Sequence, residues 1–191
     1  MSDATNVTAG KAKVGGAVAI AALGTSLPTD ATSSLGGSYT NLGYISDTGL
    51  VNSGAISNTA IKAWGGDTVL NIQSDKIDTF QFTLIEALNV DVLKTIFGDS
   101  NVSGSLSTGI TVNVTSQEQV DRVWIVDMAM RNGAVKRIAI PIGKITAIGD
   151  VTYSDTAAVG YQVTISATPD SNGKTHYEYI KRTPSGATGT T

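Results

Sequence analysis

Apolar and polar residues alternate with a period of two along much of the second two thirds of the chain, and this pattern most constrains what the sequence can form. Tyr161, Val163, Ile165 and Ala167 alternate with Gln162, Thr164, Ser166 and Thr168. Successive side chains of an extended strand point to opposite sides, so such a run buries one face and wets the other. Between Asp75 and Glu86, Phe80, Phe82 and Leu84 share one face while Thr79, Gln81 and Thr83 share the other. Ile110, Val112 and Val114 alternate in the same way with Thr111, Asn113 and Thr115. Val123 to Met130 is apolar at both parities, which predicts a strand covered on both faces. Ile138, Ile140 and Ile142 follow, and Pro141 among them predicts an edge or a bulge, because proline has no N–H to give to a ladder.

Turn chemistry joins these runs. Gly65-Gly66-Asp67 lies between Ile61-Lys62-Ala63-Trp64 and Val69-Leu70-Asn71-Ile72 and predicts a hairpin, since glycine accepts positive φ. Asp170-Ser171-Asn172-Gly173 predicts a second hairpin turn that returns the chain into Thr175 to Arg182. One segment has a different period. Val90, Leu93, Ile96 and Phe97 form a helical stripe, with Asn89 as N-cap, Asp91 at the positive end of the dipole, and Gly98 able to close the helix in the left-handed conformation. A helix of about eight residues needs tertiary packing to persist, and Leu93 and Phe97 are expected to face a sheet. A contact between subunits is the competing role for this helix.

From Ala31 to Ile61 the only charged residue is Asp47, among Ser, Thr, Gly and Asn. That composition favours loops and weak strands. Leu35, Tyr39, Leu42, Tyr44, Ile45 and Leu50 punctuate it, which predicts a segment ordered against something, either its own domain or another subunit. Charged residues make up 15% of the chain, below the roughly 25% of ordinary domains, as suits surfaces that other subunits will cover. The expected organisation is one mainly β domain over residues 1–182, a β-sandwich or half-barrel with one short flanking α-helix. It carries an N-terminal arm at 1–13, a long low-charge loop region at 31–57 and a flexible tail at 183–191.

Chemistry is hard to find in this sequence. Net charge is −3, and Lys and Arg form no run longer than Lys136-Arg137 and Lys181-Arg182, so a phosphate-gripping patch is not expected. There is no Cys and one His, which argues against a thiolate or imidazole metal site. His176, placed in a strand between Thr175 and Tyr177, lacks a nucleophile signature nearby and suits a surface or interface. Asp170 to Gly173 resembles the start of a calcium loop without its later ligands, and Ser171-x-x-Lys174 lacks the partner motifs of a β-lactamase. Gly16 to Gly24 has no P-loop lysine. No catalytic, cofactor-binding or metal residue is assigned. Gly15 to Leu23 is too short to span a bilayer, and the opening Met1-Ser2-Asp3-Ala4-Thr5-Asn6 lacks a basic leader, so synthesis in a cytoplasm is expected. The Asn-x-Ser/Thr matches at Asn6, Asn101 and Asn113 are then chance occurrences.

Several stretches, in order, resemble the major tail protein, or tail tube protein, of siphophages, particularly those of actinobacteria. They are Ala22-Leu23-Gly24-Thr25-Ser26-Leu27-Pro28-Thr29-Asp30-Ala31, then Asn41-Leu42-Gly43-Tyr44-Ile45-Ser46-Asp47-Thr48-Gly49-Leu50. Ile61-Lys62-Ala63-Trp64-Gly65-Gly66-Asp67 and Phe80-Gln81-Phe82-Thr83-Leu84-Ile85-Glu86 follow. The last are Asn89-Val90-Asp91-Val92-Leu93-Lys94-Thr95-Ile96-Phe97-Gly98 and Ile148-Gly149-Asp150-Val151-Thr152-Tyr153. The resemblance implies a structural virion protein and no enzyme. Its copies would form hexameric rings that stack into a hollow tube with a continuous β-barrel wall, meeting other tail proteins at the tube ends. Double-stranded DNA would pass through to the host cell without being bound, and no cofactor or membrane is involved.

A conduit should let phosphates slide, so the polar faces at Asp75, Thr79, Gln81 and Thr83, or at Thr111 and Asn113, either line the lumen or merely meet water. The alternative function is a β-sandwich carbohydrate- or ligand-binding module, an adhesin or virion decoration, with Trp64, Trp124, Tyr177 and Tyr179 as its aromatic face.

Overall fold

The computed structural model describes residues 1–182. Their strands are β1 (Gly10–Ala12), β2 (Val18–Ala22), β3 (Thr40–Asn41), β4 (Val51–Lys62), β5 (Thr68–Leu84), β6 (Val102–Ser105), β7 (Gly109–Val112), β8 (Arg122–Met130), β9 (Ala134–Ile148), β10 (Tyr161–Ala167) and β11 (Tyr177–Arg182), with one α-helix, α1 (Val90–Phe97), between β5 and β6. The fold is mainly β, as the alternation predicts, and its open sheets are consistent with a β-sandwich or half-barrel. The tail expected at 183–191 lies outside the described residues.

One large antiparallel sheet runs β3-β2-β8-β9-β10-β5-β4, and β6 and β7 form a separate hairpin. β9 is its spine. β8 lies along one side of it, while β11 occupies the other side at Ala134 to Ala139 and β10 takes that side from Gly143 to Ile148. Pro141 falls between the stretches held by the two partners. On the β8 side Trp124 pairs with Ile140 and Arg122 with Gly143, so Pro141 and Ile142 oppose Val123 alone. That is a bulge, one of the two placements expected for this proline. Gly143 is set by packing, because a Cβ there would lie 2.7 Å from Cδ1 of Trp124, whose Nε1 donates to the Gly143 carbonyl at 3.0 Å.

The turn at Asp170 forms, with Gly173 N–H on the Asp170 carbonyl at 2.9 Å. It is no hairpin between paired strands: β10 and β11 each bond to β9 and follow one another along it. His176 accordingly sits just before β11, not within a strand.

Each face of the sheet's centre is covered. Phe80, Phe82, Leu84, Trp124, Val126, Ile138, Ile140, Val163 and Ile165 form the main core, capped by Val92, Leu93 and Ile96 of α1. The expected parity of β5 and β10 holds. Leu93 is buried and Phe97 half-buried, its ring edge-on to Tyr161 at 5.8 Å, so the helix belongs to the core of its own subunit. Asn89 caps it, accepting from the Asp91 N–H at 3.0 Å. Gly98 closes it at φ 98, ψ 143, an extended conformation on the positive-φ side rather than the left-handed helical one. Only glycine takes that conformation readily, so the residue type is right and the predicted conformation is corrected.

The opposite face of β2, β8 and β9 holds Ala19, Ala21, Val123, Ile125 and Ala139, roofed by Leu27, Leu35 and Tyr39 and flanked by Tyr177 and Tyr179. β8 is therefore buried twice, as its continuous apolar run predicts. The low-charge segment is ordered against its own sheet, since Leu42 is buried in the main core, with Ile45 and Leu50 packed against it. Within the region expected to be loop, Val51 to Ser57 is instead strand, the first half of β4. Ser, Asn and Gly leave little propensity signal there, and pairing with β5 decides the state. The N-terminal arm is docked: Gly10 to Ala12 pair with Met128 to Met130, and Arg182 reaches the Thr5 carbonyl at 3.1 Å.

Candidate assembly surface

The β4–β5 hairpin is the feature that the rest of the chain leaves unexplained. Gly65 and Gly66, at φ 112 and φ 102, make its turn, as the glycine pair predicts. Every residue of β4 and the first ten of β5 are exposed, on both parities. Only from Asp78 onward does β5 alternate between buried and half-buried positions in the body. The hairpin is thus an arm. Val51, Ile56, Ile61, Val69, Leu70, Ile72 and Ile77 are open to solvent along it, and Trp64 is fully exposed at its tip. Val69, Leu70 and Ile72 put apolar side chains on both faces of β5 there, without cover from the described residues. An exposed apolar surface of that extent marks an interface, and the outer edge of β4 has no partner strand among the described residues, a row of backbone groups of the kind that pairs with another chain.

Two open cavities flank the body. One, of about 450 Å³, is lined by Leu50, Met128, Met130 and Ile138 beside Lys136 and Glu178. The other, of about 740 Å³, is lined by Ala87, Leu88, Leu106, Tyr153 and Val159, of which Leu88, Leu106 and Tyr153 are exposed.

Several charges are paired within the chain. Arg137 is 0% exposed and reaches Asp127, its ladder partner on β8, with Nε at 2.6 Å and Nη2 at 2.8 Å. Its Nη1 donates to the carbonyls of Asp30 at 3.1 Å and Ser33 at 2.9 Å, which ties the low-charge loop onto the sheet. Lys13 adds an ion pair to Asp127 at 3.1 Å. Burial pushes the Asp127 carboxyl up, but the Arg137 and Lys13 contacts outweigh it and hold it below the usual carboxylate range. Lys76, Arg122, Lys136 and Lys144 are likewise paired with carboxylates.

His176 meets Asp78 and Thr175. The Thr175 hydroxyl donates to Asp78 Oδ2, and Nδ1 of His176 lies 3.1 Å from Thr175 Oγ1 and 3.8 Å from Asp78 Oδ2. The hydroxyl proton is directed at the carboxylate rather than at the imidazole, the reverse of an activated nucleophile. Among the described residues, no group of three or more His, Cys, Asp and Glu is gathered to hold a metal ion, and no helix is long and apolar enough to cross a membrane. The four aromatics of a sugar-binding face are scattered. Trp124 is 1% exposed in the core, Trp64 is at the arm tip, and Tyr177 stacks on Tyr179 over the second core cluster, with ring centroids 6.5 Å apart.

No curated protein matches the chain. The family model described as phage tail tube protein matches residues 1–190, the large sheet and the arm included. A virion part of that kind acts by joining other copies and other tail proteins, which is what an exposed arm and a charge-poor surface suit. The chain belongs to the phage tail tube protein family.

Proposed function

We propose that copies of this chain assemble into hexameric rings that stack into the hollow tail tube of a long-tailed phage, through which the genome passes to the host cell. Other tail proteins bind the tube ends, and the subunit folds in the host cytoplasm before it is built into the virion. The ordered stretches given above support an actinobacterial phage as its source. The observation that carries the reading is the β4–β5 arm, whose apolar residues lie open on both faces and whose outer edge has no partner strand among the described residues. The far edge of β11 is also unpaired among the described residues, so the sheet has places at which neighbouring copies can extend it into a closed wall.

DNA passes without being held. The polar faces at Thr79, Gln81 and Thr83, with Asp75 on the arm, or at Thr111 and Asn113, are the proposed lumen wall, where carboxylates and neutral polar groups let phosphates slide. An inner wall rich in Lys and Arg, seen in a reconstruction of the tube, refutes this assignment. Negative-stain microscopy of the purified protein at rising concentration tests the assembly. Hollow tubes of constant width are expected, and a strict monomer at high concentration ends the reading.

A further inference from the structure

At Asp78 the arm and the body part. β5 pairs with β10 from Leu84 to Asp78, where Asp78 faces Ala167. A straight continuation would carry β5 past the 168–176 turn and along the edge of β11 that faces away from β9. It does not continue there, and residues 68–77 are exposed on both faces instead. The β5–β10 ladder stops there while the β4–β5 ladder runs on, so what ties the departing hairpin to the body at this point is side-chain contact.

Asp78 is 3% exposed, an unusual place for a carboxylate unless it is well bonded. Its Oδ2 accepts from the Thr175 hydroxyl and lies 3.3 Å from Lys76 Nζ. A threonine hydroxyl has one proton. With that proton given to Asp78, Oγ1 is left to accept from His176, so Nδ1 of His176 carries a hydrogen. The imidazole in turn packs edge-on against Phe80, with centroids 5.2 Å apart, and Phe80 is fully buried in the main core. The contacts run without a gap from core ring to imidazole, hydroxyl and carboxylate. On the other strand the ladder partner of Asp78 is Gly54, where a Cβ would stand 3.1 Å from Asp78 Oδ1. The arm's own partner strand thus leaves room for the carboxylate. The Thr175 hydroxyl bond, more than burial or the cations, determines that this carboxyl sits below its ordinary range, as expected of a group bound in its charged form.

We infer that Asp78, clasped by Thr175 and His176 opposite Gly54, is the positioning residue that fixes the direction in which the arm leaves the body and so presents it to the next copy. The inference rests on the assembly reading for its purpose but not for its geometry. An arm held in one direction meets its partner without first losing orientational freedom, and a loosened one loses affinity through that ordering term, with no contact removed.

The chain has no cysteine, so spin labels can be placed at will. Asn71→Cys on the arm and Ala147→Cys on β9, both exposed, give one arm-to-body distance measured by pulsed electron resonance on dilute monomer. A narrow distribution is expected in the parent. Thr175→Val should broaden it and Thr175→Ser restore it, with thermal unfolding of the body little changed. In unlabelled protein Thr175→Val should raise the concentration for half-assembly roughly tenfold, again restored by serine. A broad distribution in the parent, or a Thr175→Val distribution as narrow as the parent's and with the same mean, overturns the inference. Unchanged assembly by a Thr175→Val protein with a broadened arm also overturns it. If the parent forms no tubes, the assembly reading fails, while the distance measurement still decides whether the clasp holds the arm.

Discussion

Replacing Arg137 with Met removes the guanidinium and keeps most of the buried stem, so it isolates the polar role of this side chain. Asp127 would then retain only Lys13, whose side chain is more than half exposed and weakly held. The carbonyls of Asp30 and Ser33 would lose their donor beneath the loop. Removing one partner of a buried pair costs about 3–5 kcal/mol, because the other charge stays buried. For a domain of this length that lowers Tm by roughly 6–20 °C. Removing both partners, as Asp127→Leu with Arg137→Met, should recover part of the loss and not all of it. The two carbonyls lose their donor, at a smaller cost because Asp30 is half-buried and Ser33 exposed, so water reaches them.

The effect has a pH signature. Asp127 is depressed in the folded state, so its contribution is present above the unfolded carboxyl value of about 3.9 and is lost as pH falls through the folded value. The difference between parent and Arg137→Met should be full at neutral pH and narrow below about pH 4. Differential scanning calorimetry at several pH values measures both. A Tm change below about 2 °C, or a difference that stays constant down to pH 3, refutes the argument that this pair holds the loop to the sheet.

Other substitutions separate core from interface. Leu93 is buried under the sheet, so Leu93→Ala should cost about 2–5 kcal/mol in urea unfolding and Leu93→Asp should leave no folded protein to purify. A folded Leu93→Asp monomer that merely fails to assemble would move the helix to an interface. Ile56→Asp and Leu70→Asp, on the exposed arm, should change stability by less than about 1 kcal/mol yet abolish tubes in electron micrographs, and tubes of normal width would show that the arm's apolar faces are not buried on assembly. Gly143→Ala should destabilise by about 1–3 kcal/mol despite the usual advantage of alanine in a strand, because its Cβ meets Trp124; a stabilised variant would mean the bulge can shift to make room.

Much of the local structure was legible because it follows from neighbours in sequence. The parity of Phe80, Phe82 and Leu84 named their buried face, and Asn89 with Gly98 bounded the helix. The two-sided burial of β8 was readable from its unbroken apolar run. Other features were hidden. Ala19 and Ala21 gave no strand alternation, since β2 is built largely of small apolar residues and is covered on both faces. Asp170 to Gly173 is turn chemistry of the usual kind, and nothing in it tells whether the flanking strands pair with each other or with a third. The candidate surface was half visible. Glycines marked the arm's turn and low charge marked contact surfaces, but apolar alternation in the arm looked like ordinary core-facing strand.

The sequence by itself determined most of the strands after Ile61, where the helix lies, and that the chain has no cysteine. Those properties depend on residue type at short spacing, where each side chain's direction is set by its own backbone. The tertiary structure alone decided that β10 and β11 share one side of β9, that Asp127 and Arg137 meet beneath a loop from far earlier in the chain, and that the hairpin leaves the body at Asp78. Backbone N–H and C=O groups are the same at every residue, so a strand's pattern shows that a face will be covered without showing by what.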